Sequence, residues 1–355
     1  MKTTEKNDVN ITEIFGLTDK QTDILFSLEI ALTRKDIALT ENQTHKESKI
    51  DWLQKWQKNL NQSSKLESYA SIVQAIKDEA NASSGNLTWL YFIMLEATLF
   101  KPYFPLSESK DDNKIFRKLH YKKQEEYLVN IARVSGYVDP SYIKRFSDTY
   151  QKVFNQISGK NKKIIINILA VLAASGLLAA LAGTFAGPIA VALIGSKFAG
   201  LHGAALVSAC LAYLGGGAIA AGGAGMAGGV AVIVGGGALL GAAGGGAATT
   251  FVNSVAKSSP ALILSQTVKL EVAMREILLN AQQDTRSAQA VISQLQERIL
   301  VLERENLELK NKNDEDKKTL ANLEKSIEYL RKAYDDMNRF KSSYEVGLNV
   351  NESGK

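Results

Sequence analysis

Side chains with chemistry to offer fall in three places. Lys114, Arg117, Lys118, His120, Lys122 and Lys123 crowd into ten residues, with Phe116 and Tyr121 between them. Cationic side chains that displace counterions from phosphates, beside rings that stack on bases, point to an anionic ligand such as a phosphate or nucleic acid. The plainer alternative is a solvated helix face, where most Lys and Arg sit. Lys144 and Arg145 join this group only if the fold brings them near. Lys197 and His202 stand in an otherwise apolar stretch. At membrane depth they are candidates to face a pore or a helix interface, and otherwise they snorkel or occupy a loop. Asn306, Asn313 and Asp316 occupy seam positions of a heptad pattern, where polar residues set register at a cost in stability.

No catalytic constellation emerges: carboxylates and hydroxyls are plentiful, but none sits in a motif with a geometric role. His45, His120 and His202 are far apart and Cys210 is the one cysteine, so no metal-ligand spacing exists and an internal disulfide is impossible. Gly223-Ala224-Gly225-Met226-Ala227-Gly228 matches a dinucleotide-binding glycine pattern. It lacks the acidic residue that should follow about 20 positions on, because the next acid is Glu271. The expectation is a protein with no enzyme activity and no cofactor.

The element that must position these groups is the stretch from Ile164 to Ala256, where Lys197 is the only charged side chain and most of the chain's 27 glycines lie. Ile164 to Ala186, Pro188 to Leu214 and Ala218 to Thr250 are candidate spans, at about 20 residues per crossing. The third is interrupted by Gly235-Gly236-Gly237. Fourfold spacing of Gly183 and Gly187, of Gly225 and Gly229, and of Gly237, Gly241 and Gly245 suits close helix packing in lipid, where small residues let backbones touch. Lys160, Lys162 and Lys163 on one flank and Lys257 and Lys269 on the other both favour the cytoplasmic side, hence an even number of crossings. The first residues, Met1 to Asp8, carry no apolar signal-peptide core, so cytoplasmic synthesis is expected.

Either side of this stretch the pattern is helical and charged. Thr18 with Gln21 predicts a capping box, followed by Ile24, Leu25, Leu28, Ala31 and Leu32 on one face. Trp52, Leu53 and Trp56, then Ile72, Val73 and Ile76, repeat the spacing. Leu87 to Leu95 is too short to span a bilayer and reads as a buried central helix. Gln124 to Val134 is a helix stopped by Gly136, and Asp139-Pro140 opens another through Tyr142, Phe146, Tyr150 and Val153. From Ile292 to Met337 apolar residues recur at alternating intervals of three and four, a coiled-coil signal that demands a partner helix. A parallel homo-oligomer lets the polar seam residues face their own copies. The other solution is an intramolecular hairpin against the N-terminal domain or the earlier helix Ala261 to Gln283.

The expected fold is therefore all-α: an N-terminal helical sensor domain (1–157), a glycine-rich multi-helix transmembrane module (158–257), a helix and coiled coil (258–345) and a disordered tail (346–355). The part around Leu87 to Gly136 weakly resembles tellurite-resistance-type helical domains. Leu214 to Gly246, with Ala218-Ile219-Ala220-Ala221-Gly222-Gly223-Ala224-Gly225-Met226-Ala227-Gly228-Gly229 at its centre and Val268 to Ala273 after it, resembles the membrane module of bacterial anti-phage effectors. The combination of parts is similar to the transmembrane effector of Hailong-type abortive-infection systems, over the last two thirds of the chain. That resemblance implies an oligomeric ion channel of the bacterial inner membrane, with both polar domains cytoplasmic. It also implies control by a DNA oligomer made by a companion nucleotidyltransferase, which would give weight to Lys114, Arg117, Lys118, Lys122 and Lys123. Two other classes fit the same parts: a component of an α-helical pore-forming toxin, and a non-conducting membrane scaffold.

Overall fold

Capping chemistry sets the helix starts. In the computed structural model, which describes residues 11–59, 66, 68–103, 110–159, 232–240, 255, 260–311 and 317–353, the Thr18 hydroxyl accepts from the Gln21 N–H at 3.3 Å and the Gln21 side chain accepts from the Thr18 N–H at 3.1 Å. Two orphan donors of the first turn are thereby satisfied. The described residues are mostly helical. They form α1 (Ile11–Phe15), α2 (Asp19–Ala38), α3 (Gln43–Asn59), α4 (Tyr69–Ala82), α5 (Thr88–Leu99), α6 (Lys110–Phe116), α7 (Glu125–Ser135), α8 (Ser141–Ser158) and α9 (Pro260–Val272). The α9 helix runs on as a π-helix (Ala273–Ala281), followed by α10 (Thr285–Asn311) and α11 (Lys317–Ser353). Two residues of extended chain, β1 (Gly16–Leu17), pair antiparallel with β2 (Val232–Ile233).

The apolar faces read from the sequence are buried: Ile24, Leu25, Leu28 and Leu32 on α2, Trp52, Leu53 and Trp56 on α3, and Ile72, Val73 and Ile76 on α4. The α5 helix is apolar all round and lies in the core, as expected of such a helix. Asp139 opens α8 by accepting from the Ser141 N–H at 2.8 Å.

The polar parts before and after the glycine-rich stretch, read as separate domains, share one hydrophobic core that runs from Phe15 to Met337. Its axis is α9 with its π continuation, in which every residue from Leu262 to Leu279 is buried. The α8 helix lies antiparallel to it: Tyr150 meets Ser265 at 3.2 Å, while the earlier Arg145 meets the later Glu276 at 2.5 Å.

The C-terminal seam departs from the expected continuous coil. The α11 helix folds back along α10. Lys310 pairs with Glu324 and Glu303 with Arg331, the crossed order of an antiparallel hairpin. Leu295, Ile299 and Leu302 of α10 and Leu323, Ile327 and Leu330 of α11 are buried. The partner demanded by the heptads is thus supplied within the chain, in place of the expected parallel pairing of copies. An unbroken register survives a hairpin because each arm keeps its own apolar stripe. The expected disordered tail is also corrected: α11 continues through Val346 to Ser353, since 346–353 contains no proline to stop a helix already nucleated by packing.

Candidate functional site

The third candidate span does not form one membrane helix. Residues 232–240 return to the helical head, where β1, α1, α5 and α10 each bond to them. After the β1–β2 pairing, the Val234 N–H donates to the Phe15 carbonyl at 2.9 Å. The Gly235 N–H donates to Glu96 Oε1 on α5 at 2.8 Å, and Arg298 Nε of α10 donates to the Leu240 carbonyl at 3.2 Å. Val234, Leu239 and Leu240 are buried in the common core.

Glycine is required here by conformation and by space. Gly235 and Gly236 have φ of +60° and +79°, which only glycine adopts at no steric cost. A Cβ on Gly235 would strike the Phe92 ring. One on Gly236 would lie 2.5 Å from the Gln266 carbonyl oxygen and 2.7 Å from the Leu270 nitrogen, and one on Gly237 2.5 Å from Phe15. The expected role of Gly237 in a fourfold membrane zipper is therefore replaced by contact with α1.

Around this turn sits a buried charge cluster. The second oxygen of Glu96 accepts from Lys269 Nζ of α9 at 2.6 Å, with both side chains 1% exposed. Glu29 of α2 faces the same cluster. Burial, reinforced by Glu96 and partly offset by Lys269, holds its carboxyl well above the usual carboxylate range. Two carboxyls thus share a dry site with one ammonium, and the proton on Glu29 lowers the charge that must be compensated there. Of this cluster only Lys269 carries a role from sequence, as a cationic flank of the glycine-rich stretch on the cytoplasmic side, and it is instead buried in the core; Glu96 and Glu29 carry none. Their signal was an acid interrupting an apolar run, as Glu96 does after Leu87 to Leu95 and Glu29 between Leu28 and Ile30.

A second buried cluster joins the π-helix region to α11. Arg275 approaches Glu271 at 2.5 Å and Asp336 at 2.7 Å, with its guanidinium 4.5 Å from the Phe340 ring centre. Neither Glu271 oxygen receives an aligned hydrogen bond. Burial and the neighbouring Asp336 outweigh Arg275 and push the Glu271 carboxyl up to about 8.

The basic cluster occupies α6 and the loop after it. Lys114, Arg117, Lys118, Lys122 and Lys123 are exposed, but Phe116 is buried beneath Lys55 and Tyr121 packs beside Tyr103. Of the rings expected to stack on bases, Phe116 is therefore part of the core and Tyr121 is partly buried against it. Lys123 is engaged with Glu125 and Ser147 at 2.6 and 2.5 Å, and Arg145 pairs with Glu276 instead of joining the cluster. The loop is fixed by buried Asp36, which accepts from the Lys122 N–H at 2.8 Å, from Lys49 Nζ at 2.6 Å and from the Tyr103 hydroxyl. Beside it an open depression of about 510 Å³ is lined by Lys35, Tyr69, Gln124, Tyr127 and Asn130 among others.

Asn306 is half-buried on α10, and its side-chain oxygen has no hydrogen-bond partner. Lys197, His202, Gly183, Gly187, Gly225, Gly229, Gly241, Gly245, Asn313 and Asp316 lie outside the described residues. Among the described residues no helix is long and apolar enough to cross a membrane and no group of side chains is arranged to hold a metal ion. No family model, curated protein or solved structure matches the chain.

Proposed function

We propose that this protein is a membrane-acting effector whose glycine-rich segment forms an oligomeric ion-conducting path, dissipates the membrane potential in an anti-phage response, and is governed by the helical head. The observation that carries this reading is how the segment is held. Its two ends, at Gly159 after α8 and at Pro260, the first residue of α9, leave the same end of an antiparallel helix pair, and its interior returns to the head at 232–240. A segment anchored at both ends to one side crosses a bilayer an even number of times. Residues 160–231, roughly 70 in all, have room for two crossings of about 20 residues each. The spans Ile164 to Ala186 and Pro188 to Leu214 fit that requirement, and Lys197 and His202 in the second are the groups to line the path. The exposed Lys114, Arg117, Lys118 and Lys122 form the surface on which an anionic regulator, such as an oligonucleotide, would act. Assembly of copies falls to the glycine-rich segment in this reading, since α10 and α11 already satisfy each other's seams.

The segment's return to the head also favours a second reading. A pore-forming toxin component keeps its apolar segment against its own helices until a trigger releases it. Fractionation of expressing cells separates the two. The effector reading expects the full chain in the membrane pellet, resistant to alkaline carbonate, without any trigger. Recovery as a soluble monomer would overturn it in favour of the toxin reading.

A further inference from the structure

The chemistry holding residues 232–240 differs from that of a permanent core element. A two-residue β pairing is marginal by itself. A buried ion cluster specifies a geometry well but adds little net stability compared with apolar packing, and it is strongly disrupted when one member is lost. The docked turn combines both features: Gly16 and Leu17 pair with Ile233 and Val232, and Glu96 bridges the Gly235 N–H and Lys269. In sequence it also lies between two apolar stretches.

We propose that residues 232–240 are a releasable latch. Docked on Phe15, Phe92, Glu96 and Lys269 they restrain the glycine-rich segment, and their release is the step that opens the conducting path. The inference rests on the membrane-effector reading and adds its regulation: the head acts by holding this turn. Glu96 is the positioning residue, since it fixes the turn's backbone while Lys269 fixes Glu96.

The β pairing supplies a test that leaves the cluster intact. Leu17 and Val232 are directly opposed, and opposed antiparallel residues have Cα atoms about 4.5–5.5 Å apart, within the span of a disulfide. The full chain carrying Leu17→Cys and Val232→Cys, with Cys210→Ser to remove the native thiol, is placed in vesicles containing anionic phospholipid. Potassium efflux is then measured before and after reduction. The latch predicts efflux at least tenfold slower in the oxidised form, recovered on reduction. Equal efflux from both forms would overturn the latch and leave the membrane reading standing. No efflux from either form or from the parent chain would overturn the membrane reading, and the latch with it. In parallel, hydrogen exchange of the 232–240 amides in detergent-solubilised Glu96→Gln should be at least tenfold faster than in the parent. Unchanged exchange there contradicts the clasp irrespective of conductance.

Discussion

Buried acids set the pH response. Glu271, pushed up to about 8 from an ordinary 4.5, keeps its proton in the folded chain over a range where the unfolded chain has lost it. The folded state then binds the extra proton, so stability falls as pH rises from about 4.5 to about 8, and the loss is complete above that. Glu29 shifts in the same direction. The melting temperature should therefore fall between pH 6 and pH 9, and Glu271→Gln, which mimics the protonated acid, should flatten the fall. Parallel slopes in the two proteins would show that Glu271 does not titrate as described. Gly236→Ala tests the docked turn at the same scale. Left-handed strain costs about 1–2 kcal/mol, and here the new Cβ also meets backbone atoms of α9, whereas at Gly85, with φ of +87°, it meets nothing within 4 Å. Thermal unfolding should show Gly236→Ala clearly more destabilised than Gly85→Ala, and equal losses would contradict the close approach. At the basic loop, Arg117→Glu with Lys118→Glu should weaken binding of a single-stranded oligodeoxynucleotide, read by fluorescence anisotropy, while leaving the melting temperature within about 1 °C because both residues are exposed. The cations read from sequence are exposed on this loop, whereas the rings between them pack inward. Spacing gives the position of a ring along the chain, but its surroundings come from elsewhere in the chain, Lys55 over Phe116 and Tyr103 beside Tyr121.

Elements were legible where the cause was local. The α2 cap, the buried α5, the Asp139 start of α8 and the stop of α7 at Gly136 all follow from neighbouring residues. Partners were not legible, because a heptad stripe asks for another helix without naming it. The α10–α11 hairpin answers that demand inside the chain, and α11 then runs alongside the π-helix, where Asp336 meets Arg275 and the Tyr344 hydroxyl donates to the Leu279 carbonyl at 2.7 Å. A π-helix leaves i to i+4 geometry, and such segments are frequent where function needs a particular side-chain direction; here it turns Glu276 toward Arg145 and Thr149 of α8. Leu302 and Leu330 are fully buried between the hairpin arms, so either change to Ala should cost about 2–5 kcal/mol. Removing the Glu303–Arg331 pair, in which Arg331 is 61% exposed, should leave stability nearly unchanged, because solvent screens the pair. Urea unfolding measures both, and a pair worth as much as the leucines would mean that the hairpin is held by charge.

At the scale of the molecule, the segregation of charge visible in the sequence turns out to be a separation along the chain but not a separation into independent bodies. Helices before and after the apolar stretch close into one core because α9 with its π continuation needs apolar contact on every side, and among the described residues α5, α8, α10, α11 and the turn at 237–240 supply it. That closure brings the two ends of the apolar segment together and leaves its glycine turn gripped by the head. The arrangement makes a helical body that holds the glycine-rich segment at three points, and the functional proposal depends on what the held segment does in lipid. Potassium efflux from anionic phospholipid vesicles carrying the purified full-length chain measures this directly. The account predicts efflux that rises with the ratio of protein to lipid and is lost when residues 164–214 are deleted. Efflux no faster than from protein-free vesicles, with the protein co-floating with the lipid, would contradict it.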